Sequence, residues 1–120
     1  MNKKILIADD EPEIREVIKE ILEVFNLDID MAQDGQEAID KIKTTKYDLI
    51  ISDQKMPKKS GLDVLKWMRS ENIQTPFLIQ TGHGRQQLYA EASVYNVFAV
   101  LDKPWDQDLL IKTINKALGL

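Results

Sequence analysis

Short apolar runs alternate along the chain with longer stretches in which apolar residues recur every third or fourth position. The runs are KILIA (4–8), LDIDMA (27–32), YDLIIS (47–52), PFLIQT (76–81) and VFAVL (97–101). Most lack polar alternation, as expected of parallel strands covered on both faces, whereas LDIDMA alternates and reads as an edge strand. Between the first two runs, Ile14, Val17, Ile18, Ile21, Leu22 and Phe25 make one continuous helical stripe, opened by Pro12 where a first-turn proline is tolerated. Ala38, Ile39 and Ile42 mark a second helix after Gly35, and Leu62, Leu65 and Met68 a third after Gly61. A weaker fourth helix covers 84–95, with Leu88, Ala92 and Tyr95 on one side. Asn96 follows it, where a left-handed residue is often needed. Asp106 is suited to cap a last helix whose inner face is Leu110, Ile114 and Ala117. Five strand–helix pairs of this kind predict an α/β fold with a parallel sheet, helices on both faces and right-handed crossovers. In such folds the functional site lies at the carboxyl ends of the strands.

Those ends carry chemistry. The first run stops at Asp9 and Asp10, the third at Asp53, the fourth at Thr81 and Gly82, and the fifth at Asp102, Lys103 and Pro104; the second ends in a plain turn, QDG. Taken singly, each has an ordinary explanation. Asp10 or Glu11 can favour a helix N-terminus, Asp53 can be a turn residue, Thr81 before Gly82 can be loop punctuation, and Lys103 can be a solvated lysine. Turn chemistry explains poorly why four separate strand ends carry complementary polar groups. Neighbouring carboxylates repel and are costly to desolvate, so three of them favour a hard divalent cation of the magnesium type. A carboxylate can also act as a nucleophile and form an aspartyl phosphate. Phosphoryl transfer needs positive charge and hydrogen-bond donors around the phosphoryl oxygens, which Lys103 and Thr81 can supply.

Composition narrows the classes. The 120 residues, 43% apolar and 30% charged, are expected to form one domain over residues 1–120. The absence of cysteine excludes disulfides, thiol catalysis and zinc–thiolate sites. A net charge of −4 without a basic run gives no reason for this domain to grip nucleic acid directly. No apolar stretch approaches the roughly 18 to 20 residues of a membrane span, so no membrane contact is expected. The start, MNKKILIADD, lacks the apolar region of a signal peptide, and a cytoplasmic location is expected.

Four pieces, ADDEP (8–12), ISDQKMPKKSG (51–61), QTGHG (80–84) and LDKPW (101–105), occur in an order and spacing that resemble the receiver domain of bacterial two-component response regulators. The resemblance covers essentially the whole chain. It implies a doubly wound, five-stranded (βα)5 flavodoxin-like fold of strand order 2-1-3-4-5. It implies that Asp53 accepts a phosphoryl group from a partner's phosphohistidine, and that Thr81 and Lys103 bind the phosphoryl oxygens. Mg2+ would be held by Asp10 and Asp53, by Asp9 directly or through water, and by the backbone carbonyl of Lys55. A cis peptide before Pro104 is also implied. The partners implied are a sensor histidine kinase or phosphotransfer protein and a downstream output domain or protein, with a phosphorylation-linked homodimer as a further form. The domain would be a phosphoacceptor switch, not a stand-alone enzyme, whose output surface is the last two helices and the fifth strand. Lys55 and His83, two residues past the acceptor and two past the threonine, would lie beside the path of a hydrolytic water.

One position departs from the family pattern. Three residues before the lysine, where the family usually has Tyr or Phe, stands Val100. Tyr95, Trp105 and Phe98 are the candidate replacements, with core packing as their ordinary role. Other functions fit less well. A haloacid-dehalogenase-like phosphatase needs D-x-D after strand one, which ADDEP does not match. A flavodoxin-like cofactor binder needs a Gly/Ser/Thr-rich loop at that place, and a P-loop is also absent. A phosphate-independent adaptor with a degenerate site would not need all five site residues.

Overall fold

The computed structural model describes residues 2–104 and 106–120. Strands β1 (Lys3–Ala8), β2 (Leu27–Ala32), β3 (Leu49–Asp53), β4 (Phe77–Thr81) and β5 (Ala99–Asp102) alternate with helices α1 (Pro12–Leu22), α2 (Gly35–Thr44), α3 (Gly61–Ser70), α4 (Arg85–Ser93) and α5 (Gln107–Leu118). All strand pairs are parallel, and the sheet order is β2-β1-β3-β4-β5. The alternating strand, β2, is an edge as its pattern predicted.

The uninterrupted apolar runs serve two cores at once, because successive side chains leave a strand on opposite faces. Leu6, Ile50, Phe77, Ile79 and Val100 pack with α2, α3 and α4. Ile5, Ile7, Leu49, Ile51, Leu78 and Leu101 pack with α1 and α5. The helix stripes meet these faces with two amendments. Val17 is 41% exposed, and Phe25 packs from the turn beyond α1 because the helix stops at Leu22. In α5 the fully inward positions are Leu110, Ile114 and Leu118, with Thr113 buried beside them; Ala117 only flanks the core. Thr113 is accommodated because its hydroxyl donates to the Leu109 carbonyl at 2.7 Å.

Side-chain caps fix the starts of α2, α3 and α5. Asp106 accepts from the Asp108 and Leu109 amides, as its position predicted, and Asn96 is left-handed with φ 56°. Asp34 caps α2 through the Glu37 amide, and Ser60 and Asp63 form a reciprocal capping box on α3. Helix α1 has no side-chain cap and starts on Pro12. Helix α4 begins after Gly84, left-handed at φ 72°, also with no side-chain cap, and buries only Leu88 and Ala92.

Candidate functional site

Register brings the strand ends level. Ala8 lies beside Ser52, so Asp9 and Asp53, each the next residue, sit at the same height on adjacent strands. Asp53 pairs with Gln80 and Thr81 with Asp102, which puts Lys103 immediately above β5 beside them. The Lys103 amide donates to the Thr81 carbonyl at 2.8 Å, and the Lys103–Pro104 peptide is cis.

The side chains converge from there. The Lys103 ammonium lies 3.2 Å from Asp9 Oδ2 and 3.2 Å from Asp53 Oδ1. Asp9 is fully buried, and its other carboxylate oxygen accepts from the Glu11 amide at 2.9 Å. Its backbone carbonyl accepts from Arg15, which ties the first turns of α1 to the strand end. Asp53 is buried, with Oδ1 also accepting from the Gln54 amide at 2.9 Å. Asp10 is exposed at the rim. Among the described residues, Asp9, Asp10 and Asp53 can offer carboxylate oxygens all within 4.8 Å of one another. A single, partly buried ammonium leaves these acids underneutralised. Burial, and next the Asp9 charge, push the Asp53 carboxyl above its usual range despite the pull of Lys103. Burial disfavours the Lys103 ammonium, but Asp9 and Asp53 outweigh it and raise the Lys103 pKa. An all-oxygen, net-acidic cluster with one exposed carboxylate is suited to a hard divalent cation.

Thr81 is buried, and its hydroxyl donates to the His83 carbonyl at 2.8 Å. Asp53, Thr81 and Lys103 line a cavity of about 610 Å³ that Lys55 enters from the β3–α3 loop and His83 from the β4–α4 loop. Every predicted site residue is therefore at one end of the sheet.

Val100 is buried against the core on the α4 side. Tyr95 packs on the same core, with the Lys66 ammonium 5.7 Å from its ring centre, and Phe98 is 40% exposed just before β5. Neither ring is among the residues lining the cavity, and Trp105 lies outside the described residues. Two contributors had gone unnoticed in the sequence. Arg15 had no motif to mark it. Gln54, next to Asp53, holds the loop by accepting from the Leu62 amide with its side chain and from the Gly61 amide with its carbonyl.

A family profile described as the response regulator receiver domain matches residues 5–115. The chain belongs to that family. As a receiver domain of two-component response regulators it is 33% identical to the response regulator protein PilR of Pseudomonas aeruginosa, over 98% of this chain and 26% of that protein. It is 33% identical to the transcriptional regulatory protein CpxR of Escherichia coli K12, over 96% of this chain and 49% of that one. The receiver domain thus spans between about a quarter and a half of these relatives. Among solved structures, a Francisella receiver domain, that of response regulator 1452, superposes with TM-score 0.91 at 35% identity, covering 98% of both chains. The chemotaxis response regulator CheY4 of Vibrio cholerae does so with TM-score 0.87 at 30% identity, covering 98% of this chain and all of that one. No described helix is long and apolar enough to cross a membrane.

Proposed function

We propose that residues 1–120 are one cytoplasmic receiver domain that works as a phosphorylation-dependent switch, with Asp53 as phosphoacceptor. The observation that carries this is the shared lysine, 3.2 Å from both Asp9 and Asp53 in the crevice beside Thr81. The donor is the phosphohistidine of a sensor kinase or phosphotransfer protein. An Asp53 oxygen attacks phosphorus, the P–N bond breaks, and its electron pair leaves on the imidazole nitrogen; the product is an acyl phosphate. Lys103 offers three N–H donors to the oxygens on which charge accumulates, and the Thr81 hydroxyl offers one. Asp10, Asp53 and the Lys55 carbonyl would hold Mg2+, with Asp9 assisting. Bound there, Mg2+ would offset carboxylate repulsion and neutralise charge on the phosphoryl oxygens.

The Thr81 hydroxyl has one proton and two competing acceptors. It donates to the His83 carbonyl in this structure, and a phosphoryl oxygen would draw it away. That releases the β4–α4 loop and gives phosphorylation a differential contact with which to shift a population. The surface so controlled is α4-β5-α5, where Arg85 and Asp102 pair at 3.2 Å and Phe98 and Leu109 are exposed. An output domain or protein, or a second copy, would read it.

The test is Mg2+-dependent labelling by a small phosphodonor followed by peptide mapping. Label is expected on Asp53 and is expected to vanish in Asp53→Asn. Undiminished labelling of that variant would remove Asp53 as acceptor.

A further inference from the structure

We propose that Gly35, at the start of α2, is a positioning residue for the metal-binding loop, setting the height of the Lys55 carbonyl. This rests on the Mg2+ site proposed above. Gly35 is buried, and its φ lies outside the left-handed region, so backbone conformation does not demand glycine. Space does. A Cβ on Gly35 would stand 2.1 Å from the Lys59 carbonyl oxygen, 2.5 Å from Lys59 Cβ and 2.6 Å from the Lys59 carbonyl carbon. Two of these atoms are backbone, so the loop or the helix would have to move.

The helix is poorly able to give way. Ala38, Ile39 and Ile42 bury its inner face in the core, and Asp34 caps its first turn. The loop is the freer partner, and it transmits displacement. Pro57 has a fixed φ, the Lys59 amide closes onto the Pro57 carbonyl at 2.8 Å, and Lys58 is left-handed at φ 70°. Met56 packs against the core, which leaves little slack between Lys59 and Lys55. A further tie, Lys58 Nζ to Asp34 Oδ2 at 3.7 Å, joins the same two segments. Pushing Pro57–Lys59 away from α2 therefore shifts the chain carrying the Lys55 carbonyl. Mg2+ requires near-ideal octahedral geometry and tolerates such a shift badly.

The experiment titrates Mg2+ calorimetrically into wild type, Gly35→Ala and Asp40→Gly, far below their melting temperatures. Asp40→Gly weakens the same helix at an exposed position without touching the loop. Gly35→Ala is expected to bind Mg2+ about 10- to 100-fold more weakly, the range for lost supporting contacts around a metal. Its metal-free hydrogen exchange should rise at 55–59. Asp40→Gly should lose stability yet keep wild-type affinity. Should Gly35→Ala fail to fold, the double variant Gly35→Ala/Lys59→Gly removes the Lys59 Cβ from the clash but keeps the backbone carbonyl in it, and several-fold weaker binding is still expected. Wild-type affinity in a folded Gly35→Ala, or in the double variant where that is the one measured, overturns the proposal. Equal weakening in Asp40→Gly also overturns it, since helix stability alone would then set affinity. A wild type that takes up no Mg2+ overturns the metal site itself, and the role of Gly35 with it.

Discussion

Two loops border Asp53, and they are built in opposite ways. The β3–α3 loop, 54–60, is tied at every level. Gln54 bonds to β4 and to the start of α3, Ser60 joins a capping box, and the middle abuts Gly35. The β4–α4 loop, 82–84, contains Gly82 and Gly84, where an added Cβ would meet nothing within 4 Å. Among the described residues, a side-chain tie runs from the Thr81 hydroxyl to the His83 carbonyl, and the helix the loop feeds has no side-chain cap. At the far end of α4 order returns. Arg69 donates to the Tyr95 and Asn96 carbonyls, and to those of Ile73 and Thr75. Helix α4 is thus tied at its C-terminal end and has few ties at the end beside Asp53. A ligand site needs fixed donors, whereas a switch needs a segment whose two arrangements differ little in free energy. The proposed metal site and the proposed switch would draw on different loops.

The largest test removes what both loops surround. Lys103→Met leaves the buried Asp9 and Asp53 without their cation. With the lysine side chain 19% exposed, the loss should be about 2–3 kcal/mol of metal-free stability, below the range for fully buried pairs. Urea unfolding measures it, and Mg2+ should restore most of it. Metal-free stability equal to wild type would mean the shared lysine contributes little.

Alanine at two glycines contrasts the loops directly. At Gly61 a Cβ would lie 2.6 Å from the Asp53 carbonyl oxygen, so Gly61→Ala should cost about 1–3 kcal/mol and impair labelling. At Gly82 there is open space and no left-handed φ, so Gly82→Ala should be neutral or stabilising by about 0.5 kcal/mol. Equal costs would erase the distinction.

The third test uses pH. The Asp53 carboxyl is raised above its ordinary 3.8 in the metal-free fold. Below that value the folded and unfolded chains are both protonated there, and no penalty arises. As pH rises through the folded pKa, the unfolded chain has already released its proton and the fold is penalised. Metal-free Asp53→Asn should therefore be more stable than wild type at pH 7, with the advantage shrinking toward pH 4. A constant or reversed difference would show that Lys103 already compensates the carboxylate fully.

Hydrogen exchange carries the contrast into dynamics. Amides at 82–88 should exchange at least about tenfold faster than those at 54–62, and phosphorylation should change protection across 82–95. Changes confined to Asp9, Asp10, Asp53 and Lys55 would break the proposed division of labour.

The smallest effect concerns phosphate lifetime, through Lys55 of one loop and His83 of the other, both of which line the cavity. A charged Lys55 can donate to the phosphoryl group but cannot accept from water, whereas an amide can do both. The phosphorylated domain should persist for minutes, and Lys55→Asn should lose phosphate faster, on the order of tenfold. His83→Ala should change the rate less. Equal or slower loss in Lys55→Asn would show that Lys55 does not shield the bond.

Much of this was legible in one dimension. Apolar runs and helical stripes specify five parallel βα units because burial period depends only on local geometry. A parallel sheet must then gather its strand ends on one edge, which is why Asp9, Asp10, Asp53, Thr81 and Lys103 could be named before any contact was known. The sequence also determined Asn96 and Asp106, since a left-handed residue and a cap are local needs. Tertiary structure alone decided which carboxylates share Lys103, because a bond across 94 residues of chain depends on strand register. It alone turned Val17 outward and revealed Gly35 as a spacer against Lys59. A glycine looks the same in sequence whether it serves a turn or a close approach. Only the neighbouring chain, brought there by the fold, separates the two.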